Sequence, residues 1–298
     1  MWLPFAFLLV GMVFAYQLKN WADPAIRAGL TVLLLGMGIH IGSDRQLLLA
    51  LPRLGIESVL FCLLSCLASL VLVMAWEKLF IKEYRYAHAS SETTKPSDEY
   101  NFIILVIICL VFGIVIGKQT NILTARAAQN VIDLALIIIY IGIGVTLRFA
   151  IHKLSEARTG YLMYLLLPVL ITLGSIIGGV MAGAISGKNL NYAGAIGAGM
   201  AYYSLAAAMI TDQAGFNLGL IALISNFLRE LITFLFTPFL ARYSNLAPIA
   251  LGGASTMDTT LAVMKQNLNE KYTLVAFFNG VILSFMVPVV LLLLLGTS

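Results

Sequence analysis

Ten windows of this chain carry no charge or almost none: 3–18, 28–43, 58–76, 101–117, 134–147, 160–187, 189–211, 213–241 (interrupted only by Arg229 and Glu230), 244–257 and 272–298. A bilayer span takes about 20 predominantly apolar residues, and within hydrocarbon every backbone polar group must find its partner inside the segment. Those two requirements leave an all-α polytopic membrane protein, with residues 1–298 forming a single transmembrane domain. Only 11% of the 298 residues are charged, less than half the roughly 25% of a soluble domain. Soluble enzymes and nucleic-acid binders are thereby excluded. The net charge of +4 says nothing about ligand sign, because Lys and Arg lie mostly between the windows, where they set orientation.

The windows are of two kinds. Eight are rich in Leu, Ile, Val and Phe and suit full transmembrane helices. The stretches 192–211 (YAGAIGAGMAYYSLAAAMIT) and 246–264 (LAPIALGGASTMDTTLAVM) are instead rich in Gly, Ala, Ser and Thr. Irregular backbone at membrane depth is tolerated only where protein or a water-filled cavity surrounds it, so these two read as broken or re-entrant segments. The polar, mixed-charge stretch 81–100 (IKEYRYAHASSETTKPSDEY) reads as a flexible cytoplasmic loop. The run 3–16 lacks a basic leader and a small-residue cleavage site, and is expected to be a retained first span. Cys62, Cys66 and Cys109 all fall inside apolar runs, where packing is their expected role.

Orientation follows from the basic residues. With the N-terminus outside, the inner loops carry Lys19, Arg27, Lys78, Lys82, Arg85, Lys95, Arg148, Lys153 and Arg158, nine in all. The outer loops carry five: Arg45, Arg53, Lys118, Arg126 and Lys188. The inner excess predicts that both termini face outward. An internal repeat is also visible. Leu35-Gly36-Met37-Gly38-Ile39 matches Ile141-Gly142-Ile143-Gly144-Val145, and Val10-Gly11-Met12-Val13 matches Phe112-Gly113-Ile114-Val115. Three spans per unit would make successive units inverted, as in many secondary transporters.

A carboxylate inside a membrane span costs at least about 2.5 kcal/mol and marks function by default. Glu230 is the foremost case, lying deep in its window in the run SNFLRE with Asn226 and Arg229. Adjacent helix residues point about 100° apart, so an ion pair between Arg229 and Glu230 is not the expected arrangement. Asp44 closes the second window in GIHIGSDR. Asp258 lies in GGASTMDTTL among Ser255, Thr256, Thr259 and Thr260, a run that offers carbonyls, hydroxyls and a carboxylate to an ion or ammonium; an N-cap is its alternative reading. Tyr202, Tyr203 and Ser204 mark the other small-residue segment, and Asp212 ends it as an interfacial cap. Asp133 and Glu57 read as helix-start residues complementing the macrodipole. His40, alone among histidines in a span, reads as packing. No Gly-x-Gly-Asp, His-Glu-x-x-His or Walker phosphate loop is present. The chain is expected not to be an enzyme, and no cofactor or metal site is expected.

The runs YYSLAA (202–207), SNFLRE (225–230) and GGASTMDTTL (252–261), in this order and followed by a last span opening with FFNG, resemble the bacterial lysine exporter family of LysO type. The resemblance implies an inner-membrane exporter of L-lysine and of toxic analogues such as thialysine. It also implies that an acidic pair is important in it, mapping onto Asp44 and Glu230. Lysine carries two ammonium groups and one carboxylate. Asp44, Glu230 and Asp258 are the candidates for the ammoniums, with Asn226, Thr259 and the phenols of Tyr202 and Tyr203 nearby in sequence. Amides around 202–204 or Ser255 and Thr256, or Arg229, are the candidates for the carboxylate. The expected mechanism is secondary active antiport against H⁺ or Na⁺. An inorganic-cation/H⁺ antiporter using the same carboxylates is the alternative, and a homodimer is among the expected partners.

Overall fold

The structure, a computed structural model, describes residues 3–43, 45–80, 96–119, 125–154 and 164–296. Among these residues the regular structure is helical throughout. In chain order the helices are α1 (Leu3–Val13), α2 (Ala15–Ser43), α3 (Arg45–Phe80), α4 (Pro96–Gln119), α5 (Ala125–Leu154), α6 (Leu167–Ser186), α7 (Leu190–Ala198), α8 (Tyr203–Ala214), α9 (Phe216–Leu240), α10 (Ala247–Gly252), α11 (Leu261–Asn267) and α12 (Glu270–Leu295), with a 3₁₀ turn at Gly253–Met257 between α10 and α11.

Among the described residues, four helices are long and apolar enough to cross a membrane: Leu54–Phe80 within α3, and α6, α9 and α12. A fifth span results if Ala15–Ala22 and Pro24–His40 are taken together across a 60° bend. Pro24 sits at that bend, where a proline ring removes a helix hydrogen bond and clashes with the preceding turn. The apolar parts of α4 and α5, Ile107–Gln119 and Asn130–Val145, are shorter.

Several helices begin earlier than their apolar windows, because a helix satisfies its own backbone and continues into polar sequence beyond the apolar run. Glu57 and Asp133 are therefore interior residues of α3 and α5, not helix-start residues. Glu57 makes an ion pair with Lys188 at 3.2 Å. Pro96 opens α4, in the first turn, where its missing N–H removes no helix bond. The end of the stretch read as a loop is thus helical, and its residues 81–95 lie outside the described residues.

Two compact units divide the chain. The first contains α1, α2, α4, α5 and α11, and the internal repeat becomes physical in it. A Cβ on Gly11 would collide with the Ile141 carbonyl, and one on Gly113 would lie 2.6 Å from the Leu35 carbonyl oxygen. In the repeat, Gly11 corresponds to Gly113 and Leu35 to Ile141, so each contact is the other with the halves exchanged. The same reciprocity links Gly36 with Ile132 and Gly142 with Ile26, where added Cβ atoms would stand 2.9 and 2.7 Å from the isoleucine side chains. Small residues that admit a neighbouring backbone are the usual means of helix association in lipid.

The second unit holds most of α3, then α6 to α10 with the 3₁₀ turn, and most of α12. Here α3 and α6 approach so closely that a Cβ on Gly174 would lie 2.5 Å from Ser69 Cα. The Ser69 and Ser175 hydroxyls meet across that contact at 2.9 Å. α9 is the most enclosed of the four spans, with 61% of its apolar window buried against 39–44% for the others. It forms the centre of this unit.

Candidate functional site

Both small-residue stretches are interrupted. The first breaks at 199–202, between α7 and α8, where Met200 and Ala201 adopt φ of 45° and 70°. Left-handed backbone costs a residue bearing a Cβ about 1–2 kcal/mol, so something must hold it. Asn226 of α9 does so: its Oδ1 accepts the Ala201 N–H at 3.0 Å, and its Nδ2 donates to the Ile196 and Ala222 carbonyls, each at 3.0 Å. The second stretch breaks at Gly253, with φ 60°, and runs through the 3₁₀ turn to Asp258 before α11 begins. The breaks meet directly, since the Ala254 N–H donates to the Met200 carbonyl at 2.8 Å. Gly253 admits this contact, as a Cβ there would lie 2.6 Å from that same oxygen.

Arg229, one turn after Asn226, holds the second break. It is 1% exposed. Its Nε and Nη2 donate to the Leu251 and Ala250 carbonyls, and its Nη1 to Ser175 Oγ, all at 2.8 Å. The guanidinium therefore sits on the carboxyl end of α10, where the helix dipole favours a cation. Among the described residues it forms no ion pair with Glu230.

Glu230 is likewise 1% exposed, and neither of its carboxylate oxygens has a hydrogen-bond partner among the described residues. Its electrostatic neighbours are Thr259 and Asp258, and both carboxylates act electrostatically on Tyr203. Thr259 lies toward Glu230 without closing a hydrogen bond of normal geometry; its backbone N–H and hydroxyl instead donate to Asp258 Oδ1 at 2.6 and 3.3 Å. The Tyr203 ring packs edge-on against Phe227 at 5.6 Å, on the stretch of α9 leading to Glu230. An isolated buried carboxylate carries a desolvation penalty of several kcal/mol unless a proton or a cation relieves it. Glu230 and Asp258 together form a place where a cation would.

The structure thus brings together Glu230, Asp258, Thr259 and Tyr203. It places Asn226 one turn before Glu230, and Arg229 immediately before it, as holders of the two breaks. Ser255 and Thr256 are engaged within the second break: Ser255 Oγ donates to the Gly252 carbonyl and meets Thr260, while Thr256 Oγ1 bonds the Gly253 and Ala276 carbonyls. Tyr202 is half-buried and Ser204 exposed at the start of α8. Asp258 does not cap α11 in the usual way, since its bonds go to the very next residue. Asp212 lies in the last turn of α8, exposed and bonded to Gln213, while Gly215 terminates the helix. Asp44 lies outside the described residues.

Two polar residues were not singled out from sequence. Asn279 of α12 donates to the Gly253 carbonyl at 3.2 Å and to Thr256 Oγ1 at 3.3 Å, and its own Oδ1 is buried without a partner among the described residues. The neighbouring Gly280 lets α12 lie against the 3₁₀ turn, a Cβ there falling 2.7 Å from Met257 Cβ. The FFNG run is therefore a support for the second break. Glu77, buried near the end of α3, bonds Ser244, whose hydroxyl accepts the Leu246 and Ala247 N–H groups at the start of α10.

Residues 107–295 match the family described as lysine exporter LysO. The chain belongs to that family. The matched region contains both breaks and all of α9, and begins beyond Asp44. Among curated relatives, the lysine exporter LysO of Escherichia coli K12 is 28% identical over 185 residues, covering 61% of this chain and 60% of its own length. A provisionally named lysine exporter of Haemophilus influenzae Rd is 25% identical over 127 residues, covering 43% of this chain and 65% of its own length. The chain thus spans about three fifths to two thirds of the length of these relatives. No solved structure matches it.

Proposed function

We propose that the chain exports L-lysine and toxic lysine analogues across the bacterial inner membrane, as a secondary active transporter driven by inward movement of H⁺ or Na⁺. The observation that carries this reading is the fully buried Glu230, unpartnered at both oxygens, facing Asp258 where two broken helices meet. The family and its relatives, named as lysine exporters, support the choice of a cationic amino acid. In this reading Glu230, with Asp258 and Thr259, receives a substrate ammonium, and a proton or sodium ion relieves the same carboxylates when the substrate leaves. Asp44, which follows the second apolar window of the sequence, exchanges protons with the outside.

The accompanying membrane arrangement has eight full spans and two broken segments, with both termini outside. The reciprocal glycine contacts of the first unit support an inverted repeat whose two halves exchange roles during transport. A homodimer is the proposed assembly.

Labelled-lysine uptake into everted membrane vesicles tests the proposal, with a proton or a sodium gradient imposed in turn. Uptake accelerated by one gradient and abolished by its collapse is expected. Uptake of a bare inorganic cation with no lysine movement would move the assignment to a cation/H⁺ antiporter, a reading favoured by the orphaned Asn279 Oδ1 beside the second break.

A further inference from the structure

The two carboxylates provide for positive charge, while an amino acid also brings a negative one. Among the groups that sequence offered for it, Arg229 is fastened to two carbonyls and a serine, and the Ser255 and Thr256 hydroxyls are fastened within the second break. The twelve-residue helix α8 differs. It starts at the first break, its N-cap Tyr202 offers no side-chain cap, and its first intrahelical donor is Ala206, bonded to the Tyr202 carbonyl. The N–H groups of Tyr203, Ser204 and Leu205 thus have no hydrogen-bond partner among the described residues. Such a terminus carries about half a positive charge and presents convergent amide donors.

That feature acquires meaning from Glu230. Glu230 is four residues after Asn226, hence on the same face of α9, and Asn226 grips Ala201 just ahead of α8. The face that holds the break therefore also carries the buried, unpartnered carboxylate, and the ring of Tyr203, the first residue of α8, packs on Phe227 one turn before Glu230. A positive helix end and two carboxylates on one side of a break match a ligand with both signs of charge, and not a simple cation.

Building on the lysine-export reading, we propose that the bare N-terminus of α8, at Tyr203, Ser204 and Leu205, binds the substrate's α-carboxylate while Glu230 and Asp258 hold ammonium, so that the site selects amino acids over amines of equal positive charge. Cadaverine, which is lysine without its carboxylate, separates the two parts of this assignment. Competition against labelled lysine on the purified full chain in nanodiscs is expected to show cadaverine at least about tenfold weaker than lysine, the value of a hydrogen bond to a charged group. Ser204 is exposed, so Ser204→Asp places a carboxylate at the helix start without disturbing packing and complements the dipole. This variant is expected to keep its melting temperature, lose about tenfold in lysine affinity, and gain in cadaverine affinity. Equal competition by cadaverine and lysine in the wild type would overturn the proposal without reference to any variant. An unchanged lysine-to-cadaverine ratio in folded Ser204→Asp would overturn it too. Absence of lysine binding to the wild type would instead bring down the export reading beneath it.

Discussion

The two helix breaks lie against each other and are held from the same helix, yet they are finished differently. At the second break the exposed pole is the carboxyl end of α10, and the buried Arg229 neutralises it with bonds to the Ala250 and Leu251 carbonyls. At the first break the exposed pole is the amino end of α8, and no side chain caps it. Asn226 holds that break by its backbone turn alone, through Ala201 and Ile196. One pole is closed by the protein and the other left open, beside a carboxylate that is also unpartnered. Charge satisfaction within the fold thus ends at Arg229, and incomplete satisfaction begins one residue later, at Glu230.

This contrast can be broken from either side. The largest effect is expected for Arg229→Met, which leaves two buried carbonyls and Ser175 without their donor, at about 1–3 kcal/mol for each unsatisfied buried group. Folded yield and melting temperature in detergent should both collapse. Asn226→Ala strands the Ala201 N–H and the Ile196 carbonyl, at about 1–3 kcal/mol for an unsatisfied buried group, and a clearly lowered melting temperature with some folded protein remaining is the expected result. Gly253→Ala should cost about 1–2 kcal/mol for the left-handed residue, with further loss from crowding the Met200 carbonyl. If Arg229→Met proved milder than Gly253→Ala, the guanidinium would not be what holds the second break.

Much of this was legible from residue types. Two small-residue stretches among eight Leu- and Ile-rich ones identified the interrupted segments, and the 100° offset between neighbouring helix positions separated Arg229 from Glu230. What Arg229 bonds instead was not legible, because its carbonyl acceptors lie 21 and 22 residues away and carbonyls have no sequence signature. The first break falls on Met200 and Ala201, residues whose own preference is right-handed helix, and tertiary bonds from Asn226 and Ala254 hold them there. Glu77 directly follows the third apolar window, and α3 continues through it to Phe80 and brings it to Ser244, 167 residues on. The repeat motifs, by contrast, carried over directly, because a glycine that admits a backbone needs no distant partner to be recognised.

The most direct measurement is labelled-lysine uptake into everted vesicles carrying Glu230→Gln at wild-type abundance, with the melting temperature of the purified variant taken alongside. The amide preserves shape and removes the charge, and the Glu230 carboxylate has no hydrogen-bond partner among the described residues. Uptake should therefore fall to that of vesicles without the protein, while the melting temperature stays within a few degrees of wild type, roughly the shift that 1 kcal/mol produces. Uptake at the wild-type rate would contradict the assignment of Glu230 as the residue that receives the substrate ammonium.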